Sequence, residues 1–215
     1  MSDDSPSLRR FTISSSGGVA LQAEMQSPPQ PRLTVVVAHP SPQFGGDMHS
    51  NVVSAVFRSA PGMGVAVVRF NFRGVGESTG HHDGGPGERD DLRAVLAHCA
   101  AESPSAPLAI AGYSFGAETA LTVDHPRSVG WFLVSPVFRM FPLDQMVAST
   151  EPRPKRILIA EHDQYAPPVA ARESTRGWKA TTIEVAPMSD HFFGAGTQSV
   201  VDAFGRFVDE VMAAP

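Results

Sequence analysis

The chain has 215 residues, of which 42% are hydrophobic and 18% charged, and 17 Lys+Arg against 22 Asp+Glu leave a formal net charge of −5. That length buries a sizeable core without disulfides or structural metals and predicts one domain over residues 1–215, with residues 1–7 flexible. The acidic balance, with no basic run longer than Lys155-Arg156, excludes a nucleic-acid footprint, and no apolar run approaches the ~18 residues of a membrane span. The single cysteine, Cys99, and an acidic, polar start unlike a signal peptide together predict a soluble, cytoplasmic protein with no membrane partner. The oligomeric state is left open by composition, a homodimer included.

In chain order, Leu8–Ser14 and Val19–Met25 flank Ser15-Ser16-Gly17-Gly18, a turn sequence suited to an antiparallel hairpin. Segments rich in β-branched and apolar residues then recur at Leu33–His39, Val65–Phe70, Leu108–Gly112, Val129–Val134, Arg156–Ala160 and Thr181–Ala186. Val35-Val36-Val37-Ala38 is continuously apolar, as expected of a central strand buried on both faces of a parallel sheet. Between the strands, Asn51–Ala60, Glu88–Ala101, Phe115–Asp124 and Val200–Ala213 carry apolar residues at helical spacing, with Leu92, Val95, Leu96 and Cys99 as one example. Strand and helix alternate, which predicts a doubly wound α/β fold whose sheet is made mixed by the hairpin.

The most informative stretch is the strand Leu108–Gly112 running through Gly112-Tyr113-Ser114-Phe115-Gly116 into an Ala-rich helix. A serine at such an elbow is held in a strained backbone conformation, and the flanking glycines let strand and helix approach closely. Ser114 is therefore the candidate nucleophile. The free N–H groups at the start of the helix, that of Phe115 included, lie where an oxyanion would form. A serine hydroxyl needs a base, and the base needs an orienting acid. Asp163 follows the strand Arg156–Ala160, and His191 follows Thr181–Ala186, so both fall beyond the ends of later strands. His162 and His39 are weaker candidates for the base, and Glu161, Asp190 and Asp144 for the acid.

Two other clusters suggest different chemistry and fail on spacing. Gly74-Val75-Gly76 after a strand invites a nucleotide-binding reading, but it misses the Gly-x-Gly-x-x-Gly pattern and does not open a helix directly. His81-His82-Asp83 lacks the spacing of a helical or zinc-finger metal site, so neither a metal nor any other cofactor is expected. In His39-Pro40-Ser41-Pro42-Gln43, proline has no N–H, which leaves Ser41 and Gln43 as backbone donors; the spacing favours Ser41, with His39 bracing the loop.

These residues resemble the α/β-hydrolase superfamily, and more narrowly its small lidless members that look like dienelactone hydrolase and related short esterases. The resemblance spans nearly the whole chain and rests on His39–Gly46, Asn71–Ser78, Gly112–Gly116, His162-Asp163 before Pro167-Pro168, and Asp190–Phe193. It implies an α/β-hydrolase fold with a mostly parallel central sheet, helices on both faces and no large cap domain. It also implies a carboxylic-ester hydrolase with the triad Ser114, Asp163 and His191, and an oxyanion hole formed by Phe115 and Ser41. Dienelactone hydrolase itself carries a cysteine nucleophile where this chain has serine, and the loop of such proteins often reads His-Pro-His-Pro where this chain has Ser41. Gln43, Phe44, Tyr113, Phe138, Phe141 and Phe192 are the expected substrate-binding residues, with Met140 and Met146 completing an apolar rim. A thioesterase, an acyltransferase acting on a metabolite and a catalytically silent binding protein are the alternatives on the same fold. The expected partner is a small-molecule ester or thioester.

Overall fold

The structure is a computed structural model that describes residues 6–213. Eight strands, β1 (Ser7–Ser14), β2 (Ala20–Ser27), β3 (Leu33–Ala38), β4 (Val65–Phe70), β5 (Leu108–Tyr113), β6 (Ser128–Val134), β7 (Lys155–His162) and β8 (Thr181–Asp190), form one sheet. Their spatial order is β1-β2-β4-β3-β5-β6-β7-β8. β1, β2 and β4 pair antiparallel, and every pair from β4 to β8 is parallel. Among the described residues four helices connect strands, α1 (Asn51–Ser59), α2 (Pro86–Glu102), α3 (Phe115–Leu121) and α4 (Pro168–Ser174), and a fifth, α5 (Gln198–Ala213), follows β8.

The apolar runs explain the layering. All six residues of β3 and all six of β5 are buried, so these strands need cover on both faces. On one face α1 and α5 pack over Val35, Val37 and Phe132, with α5 contributing Val200, Ala203, Phe204, Phe207, Val208 and Val211 at helical spacing. On the other, α2, α3 and α4 cover Val36, Ile110 and Leu133. α2 opens on Pro86, and the Glu88 carboxylate accepts the Gly85 N–H at 2.7 Å, closing its first turn.

The fold expected from the sequence is the fold observed, with local differences. Ser7, the last residue of the segment expected to be flexible, opens β1; residues 1–5 of that segment lie outside the described residues. α4 was hidden by Pro167-Pro168, which reads as loop, although Pro168 stands at the first helical position, where its missing N–H costs nothing. β7 and β8 run two and four residues past the expected Ala160 and Ala186, carrying the strands up to Asp163 and His191. Between β6 and β7 the chain makes only two short 3-10 turns, Leu143–Gln145 and Val147–Thr150, so no helical lid stands over the sheet. Among the described residues, no helix is long and apolar enough to cross a membrane.

Candidate active site

The connection β3–α1–β4 runs one way from β3, and α2 then carries the chain back across to β5 on the other side. This reversal opens a crevice at the carboxyl ends of β3 and β5, the usual binding position in an open α/β sheet. Ala38 of β3 pairs with Gly112 of β5, so the loop after β3 and the turn at Ser114 emerge side by side. His162 pairs with Asp190 at the end of the β7–β8 ladder, and the next residue on each strand is Asp163 and His191.

Ser114 sits at φ 53°, ψ −116°, a conformation that costs an L-residue roughly 1–3 kcal/mol. Both neighbouring glycines are required sterically. A Cβ on Gly112 would lie 2.3 Å from the Gly116 carbonyl oxygen, and one on Gly116 would lie 2.4 Å from that of Ala38. Ser114 Oγ stands 3.0 Å from His191 Nε2, and His191 Nδ1 stands 2.9 and 2.8 Å from the two Asp163 oxygens. Asp163 Oδ1 also accepts the N–H groups of Tyr165 at 3.0 Å and Ala166 at 2.8 Å. Burial opposes the charge on Asp163, but the bonds from His191 and Ala166 outweigh it and hold the carboxyl below the usual range.

The imidazole is held from several sides. The Tyr113 hydroxyl donates to the His191 carbonyl at 2.7 Å, and Asn51 Nδ2 donates to the Phe192 carbonyl at 2.7 Å. Tyr165 stands edge-on to the ring with centroids 4.8 Å apart. The other candidates go elsewhere. His39 is fully buried, bonded to the Pro40 carbonyl at 2.7 Å and to the Phe72 N–H at 3.0 Å, and burial pushes its pKa down to about 4, so it braces the loop. His162 is exposed, Glu161 accepts the Met188 N–H, Asp190 accepts the Phe192 N–H, and Asp144 lies exposed in a 3-10 turn. His82 bonds Glu88 at 2.7 Å and Asp83 accepts the Gly87 N–H, so that cluster fastens the start of α2. Among the described residues, no group of three His, Cys, Asp or Glu side chains is placed to hold a metal ion.

A cavity of about 500 Å³ opens beside Ser114. Ser41, Gln43, Phe44, Tyr113, Phe115, His191 and Phe192 line it as expected. The N–H groups of Phe115 and Ser41 donate no hydrogen bond among the described residues, and the Ser41 carbonyl accepts the N–H groups of Phe44 and Gly46, which curls this loop on itself. Phe138 and Phe141, by contrast, do not line the cavity. Phe138 packs edge-on against Trp178, and Phe141 is buried beside Phe115 and against Gly85. Met146 is also buried in the core, so the expected rim loses three of its members. Val137, Arg139 and Met140 form that wall instead, joined by Asn51 and Tyr165.

Glu118, one turn into α3, explains the wall. Its fully buried carboxylate accepts the N–H groups of Val137 at 3.1 Å, Arg139 at 3.1 Å and Met140 at 2.8 Å, anchoring the wall to the helix that follows Ser114. The same loop holds Ser135 and Phe138 at positive φ, a strain sustained only by fixed surroundings. Replacing Glu118 with alanine strands these donors and is expected to destabilise the protein by about 3 kcal/mol or more, measured by urea unfolding. Burial, against the pull of these N–H groups, raises the Glu118 pKa above 4.5. The unfolded chain therefore loses this proton first as pH rises, and the contribution of Glu118 to stability falls through the window just above 4.5. Glu118→Gln should lack that slope.

Known proteins resemble this chain in family and fold. Residues 29–155 match the family described as serine aminopeptidase, S33. An uncharacterized protein of Rickettsia prowazekii (strain Madrid E) is 37% identical over 117 residues, which are 53% of this chain and 48% of that protein, so the match spans about half the length of this curated relative. Two solved structures are similar over nearly their whole length. A serine hydrolase without a lid from Xanthomonas campestris has a TM-score of 0.85 at 28% identity, covering 97% of this chain and 96% of the other. An alpha-beta serine hydrolase homologue from Coxiella burnetii has a TM-score of 0.84 at 25% identity, covering 93% and 97%. Est1E from Butyrivibrio proteoclasticus, solved with ferulic acid bound, shares the fold at 17% identity, with a TM-score of 0.83 and coverage of 95% and 100%. With an elbow serine, a mostly parallel sheet and no helical lid, the chain belongs to the serine aminopeptidase S33 family and is a lidless member of the α/β-hydrolase superfamily.

Proposed function

We propose that the protein cleaves carboxylic esters of small or short-chain acyl groups through an acyl-enzyme, with Ser114 as nucleophile, His191 as base and Asp163 as the orienting acid. The observation that carries this reading is the unbroken hydrogen-bond chain Ser114–His191–Asp163 at the mouth of an uncapped cavity. His191 Nε2 takes the hydroxyl proton as Ser114 Oγ attacks the ester carbonyl, and the ionised Asp163 offsets the charge on the imidazolium. The N–H groups of Phe115 and Ser41 hold the oxyanion. The imidazolium then protonates the departing alkoxide. Water, deprotonated by the same base, attacks the acyl-enzyme and releases the acid.

The cavity favours this chemistry over aminopeptidase action. An aminopeptidase needs a carboxylate to hold the free ammonium of its substrate, and among the described residues no Asp or Glu lines the cavity. A volume of about 500 Å³ suits a small ligand. Assayed on ester and thioester series from acetyl to dodecanoyl, with products identified by mass spectrometry, the protein is expected to prefer acetyl to hexanoyl oxygen esters. The dodecanoyl ester should react at least about tenfold more slowly. A preference for the long chain, or turnover confined to thioesters, contradicts the proposal.

A further inference from the structure

The cavity wall carries one charge whose partner is missing. Among the described residues Arg139 is the only Lys or Arg lining the cavity, and the other walls are largely apolar, with Phe44, Met140, Tyr165 and Phe192 among them. Its guanidinium forms no ion pair and donates no hydrogen bond among the described residues. Arg69, Arg73, Arg153 and Arg156, all less exposed, each hold at least one carboxylate. The backbone that carries Arg139 is anchored, because its own N–H and those of Val137 and Met140 end on the buried Glu118. An exposed guanidinium on an anchored backbone, beside Ser114 and in a wall whose described lining holds no acid, is placed to meet an anion brought by the ligand. Guanidinium geometry matches a carboxylate through two parallel hydrogen bonds.

We propose that Arg139 is a specificity-determining residue that receives a free carboxylate of the substrate, so that the preferred esters are anionic. This rests on the ester-hydrolase reading above. The carboxylate belongs to the acyl half, as in a monoester of a dicarboxylic acid, or to the alcohol half, as in the acetate of a hydroxy acid; two substrate pairs separate these sources. Monomethyl adipate is compared with its terminal carboxamide analogue, and 3-acetoxypropanoate with 3-acetoxypropanamide. Each pair keeps shape while replacing the charged carboxylate with a neutral amide that has one acceptor oxygen.

In the wild-type protein the carboxylate member of at least one pair should be favoured by about tenfold or more in kcat/KM, mainly through KM. The pair that shows the preference identifies the half bearing the charge. In Arg139→Gln the ratio within that pair should fall to near one, and Arg139→Lys should retain part of it. Equal rates within both pairs in the wild type, or a preference that persists in Arg139→Gln, overturn the proposal. Hydrolysis of 4-nitrophenyl acetate by the wild type and not by Ser114→Ala keeps the hydrolase reading standing if the charge preference fails. Absence of any ester turnover removes both.

Discussion

Ser114→Ala is expected to abolish turnover of every ester that the wild-type protein cleaves, lowering kcat/KM by about 10⁴-fold or more. The alanine keeps the backbone of the elbow and deletes only the oxygen that stands 3.0 Å from His191 Nε2. Thermal unfolding should therefore change little, which separates loss of chemistry from loss of fold. A fluorophosphonate probe supplies the covalent test: the folded wild-type protein should gain one adduct on Ser114, located by peptide mass spectrometry, and the variant none. An unlabelled wild type, or an adduct placed elsewhere, would sink the assignment of Ser114.

Asp163→Asn is expected to lower kcat by about 10⁴-fold, as when a triad aspartate elsewhere is replaced by its amide and the imidazole takes the wrong tautomer. Here the reason is geometric. Both Asp163 oxygens face His191 Nδ1, and one of them also accepts the Tyr165 and Ala166 N–H groups. An amide offers a single acceptor oxygen, so its NH2 group must face a donor. The variant should also react slowly with the fluorophosphonate. A second readout follows from linkage. The Asp163 pKa is lowered in the folded state, so its contribution to stability is present above the unfolded value of about 3.8 and is lost as pH falls through the folded one. The stability difference between wild type and Asp163→Asn, followed by urea unfolding, should therefore narrow toward pH 3 and below.

Much of the fold was legible because its signals are local. Continuous apolar runs mark β3 and β5 as strands covered on both faces, and the helical spacing of Val200, Phe204 and Phe207 marks α5 as cover. The elbow was legible for the same reason, since a serine at φ 53° between two glycines without room for a Cβ is a short-range steric arrangement. Asp163 and His191 were legible as residues just beyond strand ends. Their meeting depends on the register of β7 and β8, which only the assembled sheet supplies.

The cavity wall lay beyond the reach of sequence. Phe138 and Phe141 have the character of rim residues, yet the positive φ at Ser135 and Phe138 breaks the alternation of side chains after β6. The two phenyl rings turn inward, and Val137, Arg139 and Met140 reach the cavity. Glu118 was equally hidden, because its partners are backbone N–H groups about twenty residues downstream, and a backbone donor leaves no mark in the identity of its residue. The sequence by itself determined the α/β architecture, the strained serine and the candidate acid and base, all of which follow from local sterics and hydrophobic periodicity. Tertiary structure alone decided that Asp163 and His191 meet at Ser114 and that the wall beside the serine bears Arg139, because both depend on strand register and on hydrogen bonds between distant segments.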